Sequence, residues 1–364
     1  PATDSLDNGI RRVIDEIDVV AGPAGQQRHG LNFRSLERRR GNAAQRRGYD
    51  VVVFYRGRIG PPPSGALAVR GDRTMVSDLR NLAKLIDERG GADVIVDPAC
   101  YAPSHALMSA RILKDVAPEY AVVSTVTAHN DWPQKPVESG SSIYETGITD
   151  GPSQDASLYG RLKAGVERAV ETIYGEINTL VVRPGIVLGP HEDLGRLPDY
   201  LRRAARGGGF VVGGTPDTWF QYVDVRDLAE FVLTCAETGR PGRYDVVTQP
   251  GEYTWGDFAS AVAGVAGGEP VFVPDDRLLA AEVEPWRGLP MWAPVSAENA
   301  GLWAVDGKAS YDYGFTARPM EQTVADTWAW LQKEGPDWEP TARVAVHGID
   351  PDVEQRLLDE AQAL

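Results

Sequence analysis

The chain has 364 residues, of which 42% are apolar and 24% are charged, and its formal net charge is −15. This length and composition suit one large α/β domain with a smaller appended region. No run of about 18 or more apolar residues indicates a membrane span, so we expect a soluble protein. The excess of acidic residues argues against a nucleic-acid partner, because binding to phosphates needs a concentrated basic surface.

Three local features of the sequence add to the predictions from composition. Residues 34–47 are rich in arginine, which we interpret as a solvated helix face, with a phosphate or nucleic-acid patch as the alternative. Cys100 and Cys235 lie in apolar stretches, which predicts buried thiols and a reducing compartment. Residues 1–15 are polar and lack the apolar core of a secretory signal, which predicts a cytoplasmic location.

In the first half of the chain, short β-branched runs alternate with longer helical patterns. Strands are predicted at residues 50–55, 67–70, 93–97, 120–124 and 179–183, and helices at 74–89 and 105–116. This alternation predicts βαβ units and a parallel sheet. The strands are continuously apolar, as expected for strands that are buried on both faces.

The pattern becomes looser after residue 183. A helix is predicted at 196–206 and a strand near 220–223, and residues 252–320 are rich in Trp, Pro and Gly. We therefore predict a smaller, irregular C-terminal lobe for substrate binding. The predicted division is 1–185, 186–335 and an acidic peripheral tail at 336–364.

Tyr159 and Lys163 lie four residues apart at the start of a predicted helix. Residues at this spacing are neighbours on a helix surface, so an ammonium group would lie beside a phenol. A tyrosine ordinarily titrates near ~10, and a nearby cation favours its phenolate, which suits acid–base catalysis. Such a pair also arises by chance, so its context matters.

The strand predicted at 120–124 supplies that context, since it leads into two hydroxyl groups, Ser124 and Thr125. A hydroxyl at the end of a strand can hold a substrate oxygen while a tyrosine exchanges its proton.

Several motifs follow one another in a recognisable order. They are the strand-end hydroxyls, Tyr159 with Lys163, Val182-Arg183-Pro184-Gly185, Gly189-Pro190-His191, and the run from Tyr222 to Ala229. With them, residues 50–335 resemble the extended, here atypical, short-chain dehydrogenases/reductases, which are NAD(P)-dependent epimerase/dehydratase-like proteins. The resemblance implies a Rossmann-like, doubly wound parallel sheet and a nicotinamide dinucleotide cofactor.

The same resemblance implies roles for individual residues. Tyr159, Lys163 and Thr125 would be catalytic, with Ser124 as the less favoured hydroxyl. Lys163 would also bind the nicotinamide ribose, and Pro184 and Gly185 would line the nicotinamide pocket.

The glycine-rich turn that such proteins use to bind pyrophosphate is incomplete. After a first strand at 17–20, Gly22 and Gly25 match the first two glycines, and Arg28 stands in place of the third. Either the loop is remodelled and still binds, with Arg28 meeting phosphate, or the fold is retained without its cofactor site. A shifted reading frame across this segment is a third alternative.

Two arginines, Arg56 and Arg58, follow the second strand, where no acidic residue stands. A cation there suits a 2′-phosphate better than a free ribose, so NADP is favoured over NAD. A solvated turn is the alternative. Asp72, after the third strand, resembles the segment that contacts adenine.

The substrate side is less regular. His129 and His191 lie on segments expected to border the pocket, and Trp219 stands near the place where sugar-nucleotide enzymes commonly have a phosphate-binding arginine. This implies a substrate without a diphosphate. Trp286, with Trp292 and Trp303, is a candidate aromatic wall for a carbohydrate or polycyclic ligand, although core packing is expected for at least two of the three. No metal-ligand spacing occurs.

Together these features predict an NAD(P)-dependent oxidoreductase or epimerase. It would act at a carbinol or carbonyl carbon of a small polar metabolite, either sugar-like or an intermediate of secondary metabolism. The alternative is a fold-retaining protein without redox turnover, a lyase, cyclase or binding protein, because the glycine loop is degraded. We expect a small-molecule partner, no nucleic acid and no membrane, and leave open a homodimer.

Overall fold

The apolar runs of the sequence form strands at the expected places. The structure, a computed structural model, describes residues 16–20, 43–57, 64–153, 155–192, 194–335, 338–340 and 348–363. Its strands are β1 (Glu16–Val20), β2 (Val51–Tyr55), β3 (Leu67–Arg70), β4 (Val94–Asp97), β5 (Glu119–Val123), β6 (Thr179–Pro184), β7 (Val187–Leu188), β8 (Gly209–Gly213), β9 (Val223–Asp224), β10 (Gly242–Val246) and β11 (Glu269–Val273).

Helices alternate with these strands. They are α1 (Ala43–Arg46), α2 (Val76–Glu88), α3 (Pro103–Leu113), α4 (Tyr159–Tyr174), α5 (Arg196–Ala204), α6 (Val225–Thr238), α7 (Trp255–Ala266), α8 (Asp275–Ala280), α9 (Lys308–Asp312), α10 (Met320–Glu334) and α11 (Pro351–Gln362). Within the described residues, no helix is both long enough and apolar enough to cross a membrane.

Seven strands form the main sheet in the order β10-β6-β5-β4-β1-β2-β3. The pairs β10/β6, β6/β5, β5/β4 and β2/β3 are parallel. Helices cover both faces of this sheet. The predicted Rossmann-like, doubly wound α/β fold is confirmed.

The central strand β1 departs from the predicted parallel arrangement, since it pairs antiparallel with both β2 and β4. Val20 pairs with Val51 and Val94, the first residues of those two strands. A parallel pair needs a crossover connection, usually a helix, whereas an antiparallel pair does not. The described part of the β1–β2 connection contains only the four-residue α1. The chain therefore leaves β1 at the amino edge of the parallel strands, not at their carboxyl edge.

The two faces of the sheet carry separate apolar cores. On one face α2, α3 and α4 pack with Ile95, Tyr120 and Val122, and on the other α6 packs with Val96 and Val182. Cys100 and Cys235 are free thiols, one in each core, and both are buried as predicted. Alternate side chains of each strand thus reach opposite faces, which explains why the strands read as continuously apolar.

The last two arginines of the arginine-rich run contact protein carboxylates. Arg46 binds Glu230 on α6 at 3.1 Å, and Arg47 reaches both Glu230 at 2.6 Å and Glu237 at 2.8 Å. Tyr49 donates to Glu237 as well. This end of the run is therefore neither a purely solvated face nor an open phosphate patch.

The C-terminal lobe packs around a two-stranded parallel sheet, β8 with β11. Helices α5, α7 and α10 enclose an aromatic core that includes Tyr200, Phe220, Trp255 and Phe258. Regular elements occupy more of this lobe than the sequence predicts. The irregular part lies at residues 281–307, where the structure has turns, isolated bridges and one short 3₁₀ helix, Ala297–Asn299.

The expectation of a peripheral tail is wrong for residues 348–363. Leu357 and Leu358 of α11 are buried with Val211 of β8 in one apolar cluster. Glu354 of the same helix accepts a hydrogen bond from Arg203 at 2.7 Å and another from the backbone of Val211 at 3.1 Å. The acidic composition of the tail hides this apolar face, which is why the sequence suggested an exposed segment.

We predict that Glu354→Gln lowers the free energy of unfolding by about 1–3 kcal/mol, because the buried Arg203 loses one of its two carboxylate partners and keeps only Asp199, at 2.9 Å. The side chains of Glu354 and Arg203 are 7% and 2% exposed. Urea unfolding measures the change. Glu360→Gln is the control, since Glu360 of the same helix pairs with Arg277 at the surface and its loss should cost less than about 1 kcal/mol. Equal costs for the two variants would contradict the role of Glu354.

Candidate active site

A cavity of about 570 Å³ opens at the carboxyl ends of β5 and β6. Its lining includes Thr125 after β5, Tyr159 of α4, and Pro184 with Gly185 at the end of β6. In open α/β sheets, ligands bind outside the carboxyl ends of the strands, so this position is the one that the fold favours. The lobe contributes the opposite wall through Trp286 and other residues.

Thr125 is held by a turn directly after β5. It caps the 3₁₀ helix Val126–Ala128, and its Oγ1 accepts hydrogen bonds from the backbone N–H of Thr127 at 3.2 Å and from the Thr127 hydroxyl at 3.1 Å. A hydroxyl oxygen has two lone pairs, so these two bonds use its capacity to accept. The hydrogen of Thr125 is therefore the part of this group that can serve a ligand.

Ser124 forms its hydrogen bond with a buried carboxylate instead. Its hydroxyl donates to Glu167 of α4, which also accepts from Arg183 Nε at 3.0 Å and Nη2 at 2.7 Å. Burial lowers the pKa of Arg183, but attraction to Glu167 outweighs this effect and holds the pKa above its usual value. The arrangement supports the choice of Thr125 over Ser124 as the hydroxyl that faces substrate.

Tyr159 begins α4 and is 37% exposed towards the cavity. The next residue, Gly160, lies against the turn that holds Thr125, because a Cβ added there would come within 2.0 Å of the Thr127 carbonyl oxygen. Only a glycine allows this close approach. The contact places the first turn of α4, and with it Tyr159, next to the end of β5.

Lys163 lies beneath the cavity and does not line it. Its ammonium group donates to the carbonyls of Val123 at 2.6 Å and Cys100 at 2.9 Å, and lies 5.1 Å from the ring centre of Tyr101. That ring in turn lies 5.9 Å from the ring of Tyr159. Burial lowers the pKa of Lys163, an effect that nearby anionic groups partly offset.

The residues predicted to bind substrate separate into two groups. His191 and Trp286 line the cavity, together with Trp303. His129 and Trp219 do not line it: His129 is buried against Asp245 at 2.9 Å, and Trp219 is 48% exposed elsewhere on the lobe.

Trp292 also lies away from the cavity lining. It is buried in the lobe and donates through Nε1 to Asp275 at 2.9 Å. The expected packing role therefore applies to Trp292.

The cofactor residues predicted from the sequence are only partly described. Pro184 and Gly185 line the cavity beside Tyr159, which fits the nicotinamide end of a dinucleotide. Arg56, after β2, lies 3.5 Å from Asp72, after β3, at the same carboxyl edge. The other residues predicted to bind the cofactor, Gly22, Gly25, Arg28 and Arg58, lie outside the described residues.

The antiparallel orientation of β1 concerns the part of the cofactor site that would bind the pyrophosphate. Val20, the last residue of β1, lies at the edge of the sheet opposite to Tyr159. The described residues thus fit the nicotinamide half of the cofactor.

Three residues that the sequence did not single out contribute to the site. Thr127 orients Thr125, Glu167 fixes Ser124, and the ring of Tyr101 lies between Lys163 and Tyr159. The spacing of Thr125 and Thr127 is typical of a hydroxyl-capped turn, and a carboxylate four residues after Lys163 was a second signal. Tyr101 follows β4 in a loop and had no comparable signal.

The region from β2 to β10 is similar to a known protein family. Residues 41–247 match the NAD dependent epimerase/dehydratase family. The chain belongs to this family. The match spans β2 to β10 and includes Thr125, Tyr159 and Lys163, whereas Gly22, Gly25 and Arg28 precede it.

Solved structures of similar fold include members that act on or bind nucleotides. The enzyme WbmG of Bordetella bronchiseptica, in complex with NAD and UDP, is 17% identical with a TM-score of 0.55, covering 80% of this chain and 89% of its own. UDP-glucose 4-epimerase of Thermotoga maritima, with UDP-glucose, is 17% identical with a TM-score of 0.53, covering 80% and 93%. RMD of Pseudomonas aeruginosa, complexed with NADPH, is 16% identical with a TM-score of 0.52, covering 76% and 92%. At these identities the likeness shows the fold.

One curated relative is also similar over a limited stretch. The mitochondrial protein fmp52-1 of Aspergillus terreus is 32% identical over 89 residues, which are 24% of this chain. The matched stretch spans 38% of the length of that relative.

We predict that Gly160→Ala lowers the free energy of unfolding by about 1–3 kcal/mol, because the new methyl group must push α4 away from the Thr127 carbonyl. Gly264→Ala is the matched control on an exposed face of α7, where a Cβ meets no atom within 4 Å. That variant should gain about 0.5–1 kcal/mol, since alanine suits a helix better than glycine. Urea unfolding measures the change in the free energy of unfolding for both variants. A Gly160→Ala variant more stable than the parent would disprove the close contact.

Proposed function

We propose that this family member is an NAD(P)-dependent oxidoreductase or epimerase that acts at a carbinol or carbonyl carbon. The observation that carries the proposal is the meeting of Thr125 and Tyr159 in one cavity with Pro184 and Gly185. These residues come from three separate parts of the chain and line the same cavity, which supports the proposal.

Tyr159 is the residue that transfers the proton in this reaction. Its phenol exchanges a proton with the substrate oxygen, and the hydrogen of Thr125 donates to that same oxygen. Because Thr127 occupies the acceptor lone pairs of Thr125, the hydroxyl can only donate to a ligand, which suits an oxygen that gains negative charge.

A bound nicotinamide dinucleotide would supply the two-electron chemistry, a hydride given or taken at the substrate carbon. Pro184 and Gly185 would hold its nicotinamide end, whereas Lys163, the ribose ligand that the resemblance implied, does not line the cavity. Lys163 adds positive charge beneath Tyr159, and two carbonyls fix its ammonium in place. The buried apolar wall formed by Leu162, Val225 and Leu228 helps to exclude water.

NADP is the cofactor we favour. Arg56 lies after β2 with its side chain 14% exposed, close to Asp72, so a guanidinium is placed at the edge of the sheet where the ribose of adenosine would lie. Among the proteins of similar fold, one is complexed with NADPH and another with NAD. Proteins of this fold therefore bind either form of the cofactor.

The second candidate is a lyase, cyclase or binding protein without redox turnover. It is favoured by the antiparallel β1, which sends the chain away from the carboxyl edge where a pyrophosphate loop would begin. In that case Tyr159 would serve as an acid or base without any hydride transfer. Calorimetry with NADPH and NADH separates the two candidates, because only the first requires a dinucleotide.

We predict that Tyr159→Phe lowers kcat by about 10²–10⁴-fold and that Thr125→Val lowers it by about 10²-fold, since each removes one group that bonds the substrate oxygen. Ser124→Ala is the control, because the Ser124 hydroxyl serves Glu167. It should leave kcat within about tenfold of the parent, a modest loss for a group without a direct contact. A larger loss in Ser124→Ala than in Thr125→Val would reverse the assignment of the two hydroxyls.

We predict that NADPH binds more tightly than NADH, and that Arg56→Gln removes about 1.4 kcal/mol of NADPH affinity, a tenfold loss, while NADH is little affected. Calorimetry measures both affinities. Arg89→Gln is the control for net charge, since Arg89 lies near Asp50 at the opposite edge of the sheet. A preference for NADH in the parent would remove the argument from Arg56.

A further inference from the structure

The walls of the cavity are mostly hydrocarbon. Aliphatic side chains such as Ile186, Leu188 and Val247 form much of the surface. Five aromatic rings add to it, those of Tyr101, Trp132, Tyr159, Trp286 and Trp303. Apolar and aromatic lining binds ligands by removing their apolar surface from water, and aromatic rings also stack on flat ligands.

The charges of the lining do not suit a phosphate. Among the described residues, Arg196 is the one lysine or arginine of the lining, and its Nε binds Glu192 at 2.7 Å while its Nη2 donates to the Val187 carbonyl at 2.8 Å. Asp155 and Glu192 contribute negative charge. A diphosphate needs arginine or lysine partners that can turn towards it, and a lining with an acidic excess repels it.

Two polar side chains of the lining, those of Gln221 and Ser124, are engaged with the protein itself. The amide of Gln221 donates to the carbonyls of Thr248 at 2.6 Å and Val305 at 2.9 Å, and its oxygen accepts from the Val305 N–H at 2.8 Å. The Ser124 hydroxyl donates to Glu167. A ligand with many hydroxyl groups would therefore find Gln221 and Ser124 already bonded, whereas a single oxygen would meet Thr125 and Tyr159.

From these observations we infer that the cavity binds an uncharged, largely apolar ring compound with one carbonyl or secondary hydroxyl group, and not a nucleotide-activated sugar. The small polar metabolite expected from the sequence gives way to this class. The inference rests on the proposed function only for the statement that the compound is a substrate. Binding of the ring follows from the walls alone.

The test uses 2-acetylnaphthalene as the apolar ketone and UDP-glucose as the nucleotide-activated sugar. Calorimetry measures the binding of each to the whole chain, with and without NADP⁺. We expect the ketone to bind at least tenfold more tightly than UDP-glucose. UDP-glucose binding as tightly as the ketone, or no binding of the ketone, would overturn the inference.

A pair of variants locates the binding site. Trp303→Ala should weaken ketone binding at least tenfold, because Trp303 lines the cavity. Trp328→Ala should change binding less than twofold, because Trp328 packs against the same core of the lobe without lining the cavity. Should Trp303→Ala fail to fold in thermal denaturation, Val187→Thr keeps the shape of a lining residue, adds a hydroxyl, and should still weaken binding several-fold. Unchanged ketone binding in the folded variant would overturn the inference.

Oxidation of NADPH, measured by absorbance with the same ketone, separates this inference from the proposed function. Binding without turnover supports the ligand class and counts against the redox function. Conversion of UDP-glucose, measured as reduction of NADP⁺ or as formation of its epimer, with no binding of the ketone supports the redox function and overturns the ligand class.

Discussion

The buried carboxylate of Glu167 joins the three elements on which the site depends. Glu167 belongs to α4, the helix that carries Tyr159 and Lys163, and it binds Ser124 after β5 and Arg183 of β6. Burying a charge costs several kcal/mol unless it is paired and hydrogen-bonded, and here Arg183 binds both carboxylate oxygens. A small displacement of α4 would break these bonds, so the helix is held in one position relative to the strands. The shape of the cavity depends on this fixed position of α4.

The two ends of the proposed cofactor site differ in how the fold supports them. The nicotinamide end lies at the carboxyl edge of parallel strands, beside Pro184 and Gly185, as in other doubly wound sheets. At the other end β1 is antiparallel to its neighbours, and the chain leaves Val20 at the opposite edge. A sheet tolerates one reversed strand because backbone hydrogen bonds form in either direction. A phosphate site does not, because it needs the strand to end where a helix N-terminus can face the ligand.

The chemistry of the cavity and its specificity come from different parts of the chain. Strand ends and the start of α4 supply Thr125 and Tyr159, whereas the lobe supplies Trp286 and Trp303. In the proposed reaction the first set bonds one oxygen atom of the substrate. In the inferred ligand class the second set decides which ligand fills the space, and aromatic rings with internally paired charges favour an apolar one. Members of one family can thus share a reaction and differ in substrate.

The sequence by itself determined the strands β2, β4, β5 and β6, because strands buried on both faces must be continuously apolar. It also placed Tyr159 and Lys163 one turn apart on one helix, whereas in the fold Tyr159 lines the cavity and Lys163 is buried beneath it. The tertiary structure decided the rest. The direction of β1 depends on strand pairing, which no local pattern encodes, and the burial of α11 depends on a partner surface on β8 and β11. The separate roles of Ser124 and Thr125 also needed the fold. The two hydroxyls are adjacent in sequence, and only the position of Glu167, forty-three residues after Ser124, distinguishes them.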